Sequence, residues 1–127
     1  MIRCVLDASV LVAVLNRERG HERMVGFLWE GAISTLNLSE VVAKLLEYGL
    51  SEVSIRQDVG DLGLTVIAFD EALAFRAAAL RAVTRRAGLS LVDRACLATA
   101  QSLGAVAVTA DHAWSEVSLG VPVRVIR

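Results

Sequence analysis

A three-layer α/β/α fold around a mostly parallel sheet of about five strands is the architecture this sequence predicts, on three observations. Short apolar runs alternate with longer segments of helical spacing, the pattern of strands joined by crossover helices. Hydrophobic residues make up 55% of the 127-residue chain. No apolar run approaches the ~20 residues of a membrane span, so the surplus suits a sheet buried on both faces. Acidic residues stand where strands end or helices begin, the side on which the loops of such a sheet gather.

The elements follow in order. Arg3 to Leu6 reads as a short buried strand cut by Asp7, and Ala8 to Leu15 as a helix ended by the polar run Asn16 to Gly20. His21 to Trp29 predicts a second helix, stopped by Gly31. Ala32 to Leu36 is the next strand, and Leu38 to Tyr48 a helix with Val41, Val42, Leu45 and Leu46 around Glu40, closed by Gly49. Ser51 to Leu62 is a further helix. Leu64 to Phe69 is β-branched and apolar, hence a strand. Asp70 opens an alanine-rich helix that reaches Arg86. Gly88 separates it from another helix, Ser90 to Leu103, closed by Gly104. Ala105 to Thr109 is a strand, Asp111 to Val117 a short helix, and Val121 to Ile126 a last strand led by Pro122. No linker, repeat or low-complexity tract interrupts residues 1–127, which predicts a single domain.

Composition narrows the function classes. The N-terminus runs straight into the first strand without signal-peptide architecture, so a cytoplasmic protein with no membrane association is expected. Cys4 and Cys96 lie in apolar segments without metal-type spacing and read as small buried hydrophobes. Net charge is −1, so no global basic field announces a nucleic acid. Four arginines, Arg81, Arg85, Arg86 and Arg94, nevertheless fall close together, and arginine grips phosphate bidentately. Glycine-rich phosphate loops, paired-cysteine motifs and a nucleophilic serine elbow are all missing from the sequence.

Asp7, Glu40, Asp93 and Asp111 carry the chemical signal. Each has an innocent reading. Asp7 and Asp111 could cap the helices that follow them, Ser90 and Asp93 match a capping box, and Glu40 could be a solvated helix residue. Together they can point at one end of the sheet, where converging carboxylates repel unless a hard cation offsets them. All-oxygen donors suit Mg²⁺ or Mn²⁺. Ser9, Ser90 and Thr109 stand beside the acids, able to fix carboxylate rotamers or hold metal-bound water. Asp70 also follows a strand, but capping its long helix explains it.

Asp7-Ala8-Ser9, Asn37 to Val42, Gly88 to Ala98 and Thr109 to Trp114 together resemble the PIN-domain family, and more narrowly the VapC toxins of bacterial toxin–antitoxin pairs. The resemblance spans the chain. It implies a Mg²⁺- or Mn²⁺-dependent ribonuclease leaving 5′-phosphate and 3′-hydroxyl ends, usually dimeric, and silenced by a cognate VapB-like antitoxin. The family's acidic quartet falls on Asp7, Glu40, Asp93 and Asp111, with Ser9 as its small hydroxyl residue. Val92 replaces the small residue such chains often carry. Arg81, Arg85, Arg86 and Arg94 are candidates for steering the RNA backbone. Met24, Val25, Phe27, Leu28 and Trp29 form either an antitoxin or dimer face or ordinary core. A phosphatase acting on small phosphoesters and a non-catalytic protein-binding domain are the alternatives.

Overall fold

The computed structural model describes residues 1–116, 118 and 120–126. Five strands, β1 (Cys4–Leu6), β2 (Gly31–Ser34), β3 (Thr65–Ile67), β4 (Val106–Thr109) and β5 (Val123–Val125), form one sheet in the order β3-β2-β1-β4-β5. Every pairing is parallel, so the sheet is wholly rather than mostly parallel. Helices α1 (Ala8–Leu15), α2 (Thr35–Glu47), α3 (Glu52–Asp61), α4 (Glu71–Ala79), α5 (Arg81–Thr84) and α6 (Leu91–Leu103) supply the crossovers.

Alternation along the strands sorts the helices into two layers. Cys4, Leu6, Ile33 and Val108 face a core shared with Val10 and Leu11 of α1, Val41 and Leu45 of α2, and Ile55 of α3. Val5, Ala32 and Ala107 face the other way, against Leu73 and Ala77 of α4, Cys96 and Leu97 of α6, and Trp114. Small residues on this second face let α6, itself rich in alanine, approach the sheet closely. Both cysteines are free and buried. Among the described residues no helix is long and apolar enough to cross a membrane.

Several local readings are corrected. The helix expected over His21 to Trp29 is a pair of 3-10 turns, His21–Arg23 and Val25–Leu28, with Gly26 inside the second where a helix loses most by it. Helix α2 begins at Thr35, because Ser34 accepts a hydrogen bond from the Leu36 N–H at 3.3 Å and caps it. Glu40 therefore stands in the second turn of α2, not the first. The alanine-rich helix breaks at Leu80 into α4 and α5, where the Leu80 N–H bonds the Ala77 carbonyl, three residues back, at 3.3 Å. The turn after Asp111 is 3-10 over His112–Glu116, and its expected end at Val117 lies outside the described residues.

Strand order 3-2-1-4-5 reverses between β1 and β4, which makes their carboxyl ends the switch point of the sheet. Close packing at the opposite end of β2 is equally demanding. A Cβ on Gly31 would lie 3.0 Å from the Phe27 carbonyl oxygen and 3.1 Å from that of Leu28. Gly31→Ala should lower stability in urea denaturation by about 1–3 kcal/mol. Gly26→Ala, with nothing within 4 Å of the added carbon, should change it far less.

Candidate active site

Asp7 follows β1 directly and is almost sealed from water, at 4% exposure. Although it occupies the cap position of α1, its side chain makes no capping hydrogen bond. One carboxylate oxygen, Oδ2, instead accepts from Ser9 Oγ at 2.7 Å and Thr109 Oγ1 at 2.8 Å, and Oδ1 accepts from Asn37 Nδ2 at 3.4 Å. Burial pushes its pKa up, and the Asp93 charge adds to that, while the Ser9 and Thr109 hydroxyls and the Ala8 N–H pull it back. The hydroxyls are themselves held. Ser9 Oγ accepts from the Ala110 N–H and Thr109 Oγ1 from the Asp111 N–H, each at 3.0 Å. The ends of β1 and β4 are thus knitted together through one carboxylate.

Asp93 closes the capping box its sequence announces: the Ser90 N–H donates to Asp93 Oδ2 at 2.9 Å and the Asp93 N–H to Ser90 Oγ at 3.2 Å. Asp111 Oδ1 accepts from the Ala113 N–H at 2.9 Å, so it too caps a turn. Asp70, the counterexample, caps α4 through the Leu73 N–H at 3.0 Å. Capping therefore accounts for one oxygen of Asp93 and one of Asp111. It does not account for Asp7.

All four acids line one open cleft of about 360 Å³ at the switch point, with Ser9, Glu18, Lys44 and Tyr48. Glu40 has its pKa raised by partial burial and by the charges of Asp7 and Asp93, against the pull of Lys44 one helical turn on. Among the described residues, no three His, Cys, Asp or Glu side chains are closed into a metal-binding group. The donor chemistry nonetheless fits a hard divalent cation, because the acids are all-oxygen donors whose mutual repulsion a cation would relieve.

Other expectations fall differently. Arg94 is buried at 9% exposure and donates to the Ala77 carbonyl at 2.9 Å, because its position on α6 faces α4 and not the cleft. Arg81, Arg85 and Arg86 are exposed but do not line the cleft. The stretch Met24 to Trp29 divides: Met24 is core at 1% exposure, whereas Val25 and Trp29 are exposed at 49% and 77%.

Asn37 is the residue that sequence reasoning missed. It is fully buried, and its Nδ2 also donates to the Val92 carbonyl at 3.3 Å, tying α2 to the first turn of α6. The signal was present: Asn37 shares the stripe of Val41 and Leu45, and a polar side chain on a buried stripe asks for a partner. Lys44 and Tyr48 were legible in the same way, at successive fourth positions after Glu40.

The chain belongs to the PIN-domain family, whose model matches residues 4–119. Comparison with curated proteins gives no match. Solved structures of similar fold include a DNA-bound VapBC from Salmonella typhimurium, with TM-score 0.74 and 22% identity over 100% of both chains. VapBC2 from Rickettsia felis bound to a promoter DNA fragment gives TM-score 0.71 and 20% identity over 97% of each chain. A toxin–antitoxin complex from Klebsiella pneumoniae gives 0.70 and 21%, covering 94% of this chain and 98% of that one.

Three stability measurements follow from this network. Ser90→Ala should cost about 0.5–2 kcal/mol through the lost cap. Metal-free Asp93→Asn should be as stable as the parent or more so, since asparagine keeps an oxygen for the Ser90 N–H and removes a charge that burdens Asp7 and Glu40. Asn37→Ala should cost about 1–3 kcal/mol in denaturant melts, because it strips a donor from the buried Asp7 and Val92 oxygens.

Proposed function

We propose that this PIN domain is a Mg²⁺- or Mn²⁺-dependent endoribonuclease, the toxin half of a VapBC-type pair. One observation carries the reading: Asp7, Glu40, Asp93 and Asp111 line a single cleft at the sheet's switch point, and capping leaves Asp7 unexplained. A buried carboxylate held by two hydroxyls and an amide is a costly device unless it serves chemistry.

Asp7, Asp93 and Asp111 would hold the cation, with Glu40 either a further ligand or the holder of a water beside it. The cation, when bound, would lower the pKa of water held there and offset charge on the phosphodiester. The chain's own groups do the positioning. Ser9, Thr109 and Asn37 fix the Asp7 carboxylate, and the Ser90 N–H fixes one edge of Asp93. Lys44, one helical turn on, moderates the charge of Glu40.

An antitoxin partner is supported by the toxin–antitoxin complexes among the structures of similar fold. Exposed apolar side chains, Trp29, Val53, Phe75 and Val83 among them, provide surface for an antitoxin or for a second copy in a homodimer.

The test is incubation of the purified chain, stripped of partner, with total cellular RNA in Mg²⁺, in Mn²⁺ and in EDTA. Discrete fragments carrying 5′-phosphate are expected in the metals alone, and Asp7→Asn should abolish them. A folded protein that binds metal, leaves all RNA intact and hydrolyses small phosphoesters would overturn the assignment in favour of a phosphatase.

A further inference from the structure

Lys44 lines the acidic cleft with its four carboxylates, and a cluster of arginines lines a separate groove. This second groove of about 700 Å³ is lined by Arg19, Arg23, Phe27 and Arg124, backed by Val125 and Ile126. All three arginines are exposed, and among the described residues none forms an ion pair. Glu22 also lines the groove, but one carboxylate against three arginines leaves a cationic excess.

The groove is built rather than incidental. After α1 the chain turns through Arg17 at φ 50° and Gly20 at φ 87°. Backbone bonds pin that turn: the Glu18 N–H donates to the Ala13 carbonyl at 2.8 Å, the His21 N–H to the Glu18 carbonyl at 3.0 Å, and the Arg23 N–H to the Gly20 carbonyl at 3.1 Å. From the opposite wall the Arg124 guanidinium lies over the Phe27 ring, 5.4 Å from its centroid. That stacking orders a side chain that would otherwise sweep through solvent.

The chain links groove and acidic cleft at two points. Glu18 lines the cleft, and Arg19, the next residue, lines the groove. On the other side the Ile126 N–H donates to the Thr109 carbonyl at 2.8 Å, and Thr109 holds Asp7. A polyanion drawn toward four carboxylates needs a cationic anchor nearby, and with net charge −1 the whole molecule offers no such field. Arginine forks match the oxygens of a phosphodiester.

We propose that this groove binds the phosphodiester backbone of the substrate RNA and leads the strand into the acidic cleft. The assignment rests on the ribonuclease reading and deepens it, moving the anchor from the arginines around α5 to Arg19, Arg23 and Arg124.

The test uses the full chain and a labelled single-stranded RNA long enough to reach across both clefts, titrated in EDTA at several salt concentrations. Arg19→Gln/Arg23→Gln/Arg124→Gln should weaken binding roughly tenfold or more. Its salt slope should fall by about 2 in log–log terms, near 0.7 for each single-strand phosphate that arginine no longer neutralises. Unchanged thermal melting should show that the variant folds. In Mn²⁺ the variant should lose cleavage of the long RNA while still cutting an oligonucleotide that fills only the acidic cleft. Binding that the variant loses, with no cleavage by either protein, would support the groove and sink the ribonuclease reading. Undiminished binding by the variant would overturn the groove, whatever the cleavage result. An equal loss from Arg81→Gln/Arg85→Gln/Arg86→Gln would overturn it too, as would an oligoaspartate that binds as tightly as RNA of equal charge.

Discussion

Taking a carboxylate out of water is costly unless other dipoles replace its hydration. At the junction of β1 and β4 this chain does so for Asp7, and much of the molecule is arranged around that act. The replacement dipoles come from three places in sequence: Ser9 on α1, Thr109 at the end of β4, and Asn37 on α2. Each supporting group is itself bonded, Ser9 to the Ala110 N–H, Thr109 to the Asp111 N–H and Asn37 to the Val92 carbonyl. Fixing Asp7 therefore also fixes the loop that carries Asp111 and the helix turn that carries Asp93.

The packing makes such convergence possible. A wholly parallel sheet sends every strand end to one edge, and the reversal of order between β1 and β4 opens the crevice there. Small side chains on one face, Ala32 and Ala107 beside Val5, let α6 sit close to the sheet. Its first turn is thereby brought to the height of the β1 end. Larger residues on the opposite face, Leu6, Ile33 and Val108, set the separation of α1 and α2.

Capping uses only part of the carboxylates in this site. Asp93 and Asp111 each give one oxygen to a backbone N–H, which restrains their rotamers at no added charge. A structural role and a chemical one are thus compatible for the same carboxylate, and the cap alone does not decide between them. The charges of the acids also act on one another. Asp7 and Asp93 burden Glu40, and Lys44 relieves it only in part.

The sequence by itself determined the alternation of strands and helices, the parallel sheet and the acidic quartet. Those features rest on local signals: apolar periodicity, the Ser90–Asp93 capping box, the carboxylates at Asp7 and Asp111. Local signals failed where neighbours compete. Ser34 captured the start of α2 and moved Glu40 by about a turn, and the alanine-rich helix breaks at Leu80. Tertiary structure alone decided that Arg94 turns inward beneath α4 while Arg19 and Arg124 line one groove. It also decided that Asn37 serves Asp7 from 30 positions away. The physical reason is shared by all of these. Which way a polar side chain points depends on the surface packed against its helix or strand, and that surface comes from distant parts of the chain.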